Sequence, residues 1–140
     1  MPSSTTTPSK FILACMSQYF CPFVIGDEQE PVPHEIMRAY DTISVDGLTR
    51  KIYDIEKAND IHVVGLPSAD INDDLANALY ELKCMGFLDI DEINGELTIT
   101  DLGRVFGDDL SFPKHVDVYL RNQYEKEFRS IAYRKYEEAA

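Results

Sequence analysis

Asp89, Asp91 and Glu92 have the side chains and part of the spacing of a calcium loop, since hard cations gather several carboxylate oxygens at close quarters. The glycine and the final glutamate that complete an EF-hand do not follow, so no metal is expected there. Cys15 and Cys21 are spaced too widely for a zinc knuckle, and no His-x-x-x-His follows them. With Cys84 they make an odd count, which suits reduced core thiols in an intracellular protein, cytoplasmic or nuclear. His34, His62 and His115 are scattered along the chain. The pair Asp73 and Asp74 sits where a helix should begin, where carboxylates offset the helix dipole. The chain has no Gly-Lys dipeptide, no G-x-S-x-G and no H-E-x-x-H, hence no phosphate loop, serine elbow or zinc-protease helix. No catalytic residue, cofactor or metal is expected.

Basic side chains offer a different chemistry. Arg50 and Lys51 lie together, and Arg121, Arg129 and Arg134 alternate with Tyr119, Tyr124, Tyr133 and Tyr136. Such a series can stack on single-stranded nucleic acid, or the rings can pack on the domain or on a second copy. Overall charge opposes phosphate binding. The 140 residues carry a formal net charge of −12, which repels a polyanion. Residues 67–112 hold 11 acidic and 2 basic side chains, whereas residues 113–140 hold 5 and 6.

The elements that would position these groups can be read from local signals. Residues 1–9 are Ser, Thr and Pro-rich and read as a disordered lead-in. The apolar segment 10–23 is a buried strand or an amphipathic helix, which periodicity leaves open. Pro33 can start a short helix over 34–41. Asp46 or Ser44 caps the next helix, with Leu48, Ile52, Ile55 and Ala58 or Ile61 on one stripe. Residues 61–66 form a short strand or extended edge. Asp70 or Asn72 then caps a helix carrying Leu75, Ala78, Leu79, Leu82 and Met85 at helical spacing, which Gly86 ends. Residues 87–90 and 96–99 read as two strands joined at Asn94-Gly95, the pair favoured by a type I′ hairpin. Thr100 caps a helix over 101–106, with Leu102 in the core and Gly107-Asp108-Asp109 as its end. Phe112-Pro113 opens a last long helix to about residue 138, with Val116, Leu120, Tyr124, Phe128, Ile131 and Tyr136 along one side. Hydrophobic residues are 44% of the chain, enough for a core, and no apolar run of the length needed to cross a bilayer occurs.

Two resemblances follow. Arg50-Lys51-Ile52-Tyr53-Asp54 resembles the RRxYD recognition helix of the winged-helix transcription factors that partner retinoblastoma protein. That likeness implies Arg50 and Lys51 reading base edges in a major groove. A longer series is similar to the region after the second RecA-like domain of DEAH-box (RNA helicase A-like) helicases. Pro8 to Leu13 stands at the last RecA strand, and Val32-Pro33-His34-Glu35-Ile36-Met37-Arg38 at the P-E-I-x-R element. Ala78 to Asp89 matches A-L-x-x-L-x-x-L-G-A-L-D, Thr100-Asp101-Leu102-Gly103-Arg104 matches T-x-L-G-R, and Pro113 to Leu120 resembles the start of the ratchet bundle. The ATPase motifs of that family are missing.

The DEAH-box resemblance implies a mainly α, α+β winged helix. The winged-helix domain would span 10–112, with its two-stranded wing at 87–90 and 96–99, and a C-terminal helix over 113–140 would pack on it or on a partner. It implies an interaction module without catalysis, whose partner is a protein or ribonucleoprotein, such as a helicase or a G-patch activator. Arg104 would pair with an acidic neighbour or brace the wing, or else stand in solvent. The acidic turn, with Asp89, Asp91, Glu92, Asn94 and Glu96, suits a basic protein surface better than a phosphate backbone. The alternatives are a DNA-binding regulator using Arg50 and Lys51, with Arg121, Arg129 and Arg134 as further nucleic-acid contacts and a homodimer through the last helix, or an acidic decoy of a nucleic-acid-binding protein. No membrane partner is expected.

Overall fold

The structure, a computed structural model, describes residues 3–4, 7–21 and 41–125. The helix expected over 34–41, apart from Asp41, the element at Val32 to Arg38, and the last helix beyond residue 125, with Arg129 and Arg134, lie outside the described residues.

The first helix, α1 (Pro8–Cys15), settles the choice left open for the apolar segment. Thr7 accepts a hydrogen bond from the Lys10 backbone N–H at 3.3 Å, and Pro8 occupies the first turn, where its missing N–H costs nothing. The helix continues into a π turn over Met16–Phe20. Phe11, Ile12, Leu13, Ala14, Cys15 and Met16 are all buried, so α1 is a central helix rather than an amphipathic surface one. The lead-in expected over residues 1–9 is shortened accordingly: α1 begins within it, and β1 (Ser3–Ser4) runs parallel to β5 (Leu110–Ser111).

β2 (Thr42–Ser44) leads directly into α2 (Val45–Asn59), whose N-cap is Ser44, accepting from the Gly47 N–H at 2.9 Å. Leu48, Ile52 and Ile55 face the core as expected, whereas Ala58 is exposed. Of the short strand or extended edge expected over residues 61–66, no strand forms. The buried Glu56 carboxylate takes up the N–H groups that a strand would have used, accepting from Val64, Gly65 and Leu66 at 3.0–3.2 Å. This holds the loop so that Val64 and Leu66 enter the core.

Asn72 caps α3 (Asp73–Cys84), accepting from Leu75 N–H, with Asp73 and Asp74 in the first turn. Leu75, Ala78, Leu79 and Leu82 are buried, while Met85 is not. Gly86 (φ 81°) ends the helix: its N–H donates to the Lys83 carbonyl and the Phe87 N–H to the Leu82 carbonyl, the paired bonds of a Schellman end.

β3 (Leu88–Asp91) and β4 (Glu96–Ile99) pair antiparallel, and β2 adds to the other side of β4, giving the order β2-β4-β3. The register sets Leu88 opposite Ile99 and Ile90 opposite Leu97, with Ile43 beyond Leu97. Alternation turns these five apolar side chains toward the helices. Thr100 caps α4 (Asp101–Asp108), which runs two residues past its expected end. α5 (Lys114–Leu120) follows Pro113 and passes into a π turn over Arg121–Glu125, with Val116, Leu120 and Tyr124 buried as expected. The chain is thus helix-rich, with a small three-stranded antiparallel sheet.

Candidate functional site

Because the apolar half of the sheet faces the helices, its polar half faces out. Asp89, Asp91 and Glu96 are exposed there beside Thr42, Thr98 and Ser44. Asp91 and Glu96 stand directly opposite each other, a like-charged pair that disfavours the sheet unless a counter-charge covers it.

The turn joining β3 and β4 differs from the two-residue type I′ hairpin read from Asn94-Gly95. Four residues, 92–95, form the turn, and of Asn94 and Gly95 only Gly95 has positive φ (65°). The Asp91 side chain decides this. Its Oδ1 accepts from the N–H groups of Ile93 (3.0 Å) and Asn94 (3.1 Å), and its Oδ2 accepts from Asn94 Nδ2 at 2.7 Å. The side-chain amide of Asn94, and then its backbone N–H, hold the Asp91 carboxyl below its usual range. Asp91 and Asn94 are therefore turn-forming residues. Glu92 lies 3.8 Å from Lys83 Nζ with both side chains largely in solvent, and Asp89 and Glu96 complete the acidic display.

The exposed side of α3 adds to it. Asp73, Asp74, Asn77, Tyr80 and Glu81 all face outward. Ser9 Oγ donates to Glu81 Oε2 at 2.9 Å, tying α3 to α1.

The described basic candidates, Arg50, Lys51 and Arg121, stand in different surroundings. Arg50 is exposed on α2. Lys51 instead points its ammonium over the Tyr124 ring at 4.6 Å and the Phe20 ring at 5.5 Å, a cation–π cradle. Arg121 pairs with Asp117 at 3.2 Å, and Asp117 also accepts from the Tyr19 hydroxyl at 2.7 Å. Burial, followed by this bond, pushes Tyr19 up to about 12.

Comparison with protein-family models, curated proteins and solved structures gives no match.

Arg104, read as a pairing residue or a solvent-exposed one, is buried. One Nη donates to the Cys21 carbonyl at 2.6 Å and the other to Asp41 Oδ1, joining three distant parts of the chain. Burial raises Cys15 well above the usual thiol range and Cys21 to about 12, so neither is a ready nucleophile. Among the described residues no group of three or more metal-ligating side chains gathers, and no helix is long and apolar enough to cross a membrane.

Sequence reading missed how α4 is turned. Leu102, assigned to the core, is 48% exposed, and Val105 (69%) and Phe106 (53%) share its face. Gly103, Arg104 and Gly107 point inward instead. A Cβ on Gly103 would lie 2.3 Å from the Phe87 carbonyl oxygen, and one on Gly107 would lie 2.3 Å from Ser17 Oγ. The two glycines let the α4 backbone approach its neighbours closely, which rolls the apolar side chains outward. The Gly103-x-x-x-Gly107 spacing was the available signal. Beside α4, a groove of about 710 Å³ runs between α1 and α3, with Leu13, Ala78, Leu82, Met85, Phe87 and Phe106 along it.

Proposed function

We propose that the chain is a non-catalytic winged-helix module that binds a basic protein, alone or within a ribonucleoprotein, and not duplex DNA. The observation that carries this is the order β2, α2, α3, β3, turn, β4 with sheet order β2-β4-β3. A winged helix requires that order: its first strand pairs with its last, and the hairpin follows the second of two helices. The Thr100 cap and the Gly86 helix end, both within motifs shared with the DEAH-box region, support kinship with that helicase-associated winged helix.

Charge supports the choice of ligand. In a helix-turn-helix reader the second helix enters the major groove. Here that helix is α3, whose outward side carries Asp73, Asp74 and Glu81, and the hairpin beside it carries Asp89, Glu92 and Glu96. Phosphates would meet carboxylates on both. A regulator built on Arg50 and Lys51 would use α2 instead, where the Lys51 ammonium is already held over two rings.

Affinity capture from source lysate, with and without nuclease, tests the reading. The expected result is a basic protein retained after nuclease treatment and lost with Asp89→Lys plus Glu96→Lys. Nuclease-sensitive capture, or duplex binding by the pure chain with a steep salt dependence, would sink it.

A further inference from the structure

We infer that the groove between α1 and α3, extended by the outward face of α4, is a docking site for a basic amphipathic helix of a partner protein. The inference rests on the protein-binding reading above and names a surface apart from the sheet face, although it shares Asp74 and Glu81 of α3 with the wider acidic display.

Apolar character comes first. A short helix normally turns its apolar side chains to the core, yet α4 turns Leu102, Val105 and Phe106 to solvent. The face is continuous with the groove. Phe106 lines it and packs on Phe87 with ring centroids 5.0 Å apart. Leu102 Cδ2 lies 3.8 Å from where a Cβ of Gly86 would stand, next to Met85 of the groove. Leu102, Val105 and Phe106 have the i, i+3, i+4 spacing that meets a second amphipathic helix along its length. Contiguous exposed apolar surface of this kind marks an interaction site.

Charge selects the occupant. Asp74, Glu81 and Asp109 line the groove against the single base Lys10, and Asp101 stands exposed at the start of α4. An apolar ridge flanked by Lys or Arg complements both floor and rim. A second copy of this chain would bring the same acids against themselves, on a molecule already at −12.

The test uses the full chain and a fluorophore-labelled synthetic peptide of about four helical turns, with Leu at i, i+3, i+4, i+7 and Lys elsewhere. One control replaces every Lys with Glu and another replaces every Leu with Ser. The expected anisotropy titration saturates for the Leu/Lys peptide alone. It weakens about tenfold or more with Val105→Asp, although that variant adds negative charge. Phe106→Asp gives the same loss, and Val105→Asp, the more exposed site, keeps the test valid if Phe106→Asp unfolds. No saturable binding, equal binding of the Ser/Lys control, or binding unmoved by Val105→Asp overturns the inference. Binding lost with Asp89→Lys plus Glu96→Lys but kept by Val105→Asp overturns the groove while leaving the protein-binding reading intact. A dimer in sedimentation that Val105→Asp dissolves assigns the surface to a second copy and also overturns it. Failure of the lysate capture with the peptide result intact removes the sheet-face reading alone.

Discussion

Gly107 and Ser17 lie so close that a Cβ on the glycine would stand 2.3 Å from Ser17 Oγ and 2.7 Å from its Cβ, with the Leu13 carbonyl oxygen at 2.9 Å. Gln18 reinforces the contact, donating from Nε2 to the carbonyls of Gly107 (2.8 Å) and Leu110 (2.9 Å). In an exposed helix interior Gly→Ala stabilises by about 1 kcal/mol. Here the sign reverses. Gly107→Ala is expected to destabilise by about 1–3 kcal/mol through overpacking, and Gly103→Ala should behave alike against the Phe87 carbonyl. Urea midpoints of the two variants check this; a rise in either midpoint contradicts the close approach.

Glu56 ties α2 to the loop at Val64–Leu66 through three backbone donors. Glu56→Ala leaves those N–H groups unsatisfied and should cost about 1–3 kcal/mol per buried group left without a partner. The diagnostic readout is local. Amide exchange at Val64 and Leu66 should accelerate more than at Leu97, in the middle strand of the sheet. Uniform acceleration across the chain would mean that the loop and the sheet open as one unit.

Arg104 spans Cys21 and Asp41 with two nitrogens of one planar fork. Lysine has a single ammonium and cannot reproduce that geometry. Arg104→Lys is therefore expected to lose nearly as much stability as Arg104→Ala, somewhat less than the roughly 3–5 kcal/mol of a broken fully buried pair, because the Asp41 side chain is 34% exposed. A thermal melt in which Arg104→Lys matches the parent chain would refute the bidentate role.

Alkaline pH should unfold the protein earlier than an ordinary surface would allow. Tyr19 is raised from 10.0 to about 12 and Cys21 from 9.0 to about 12, in both cases chiefly by burial. The folded state holds these protons more tightly than the unfolded chain. Their contribution is fully present below the unfolded values, 9.0 for Cys21 and 10.0 for Tyr19, and is lost as pH rises toward 12. Stability measured from pH 8 to 12 should fall, and Tyr19→Phe should make that fall shallower. A flat profile for the parent chain would contradict the burial of both groups.

Local chemistry made much of the fold legible. Ser44, Asn72 and Thr100 cap the helices they precede, and Gly86 closes α3, because each acts on backbone within three or four residues. The failures have non-local causes or unrecognised side chains. The segment at 61–66 is β-branched and apolar, but a buried carboxylate eight to ten residues upstream claims its donors. Asn94-Gly95 carries a hairpin signal, but Asp91 caps the turn first. Leu102 follows a helical core pattern, but Gly103 and Gly107 admit the backbone itself to the core. The four acidic candidates, Asp89, Asp91, Glu92 and Glu96, were found from composition, and Asp91, together with Asn94, is engaged in forming the turn. The groove arises from three helices brought together by the fold and had no counterpart in any single segment.

The strand order β2-β4-β3 leaves one side of β3 without a described partner strand. An open strand edge is a template on which another chain can add itself, and short length and charge are the means by which proteins prevent this. β3 has four residues, two of them aspartates exposed to solvent. Asp89 and Asp91 thus also act as gatekeepers of solubility: neutralising them would leave an uncharged strand border flanked by Leu88 and Ile90, open to aggregation by edge-to-edge growth.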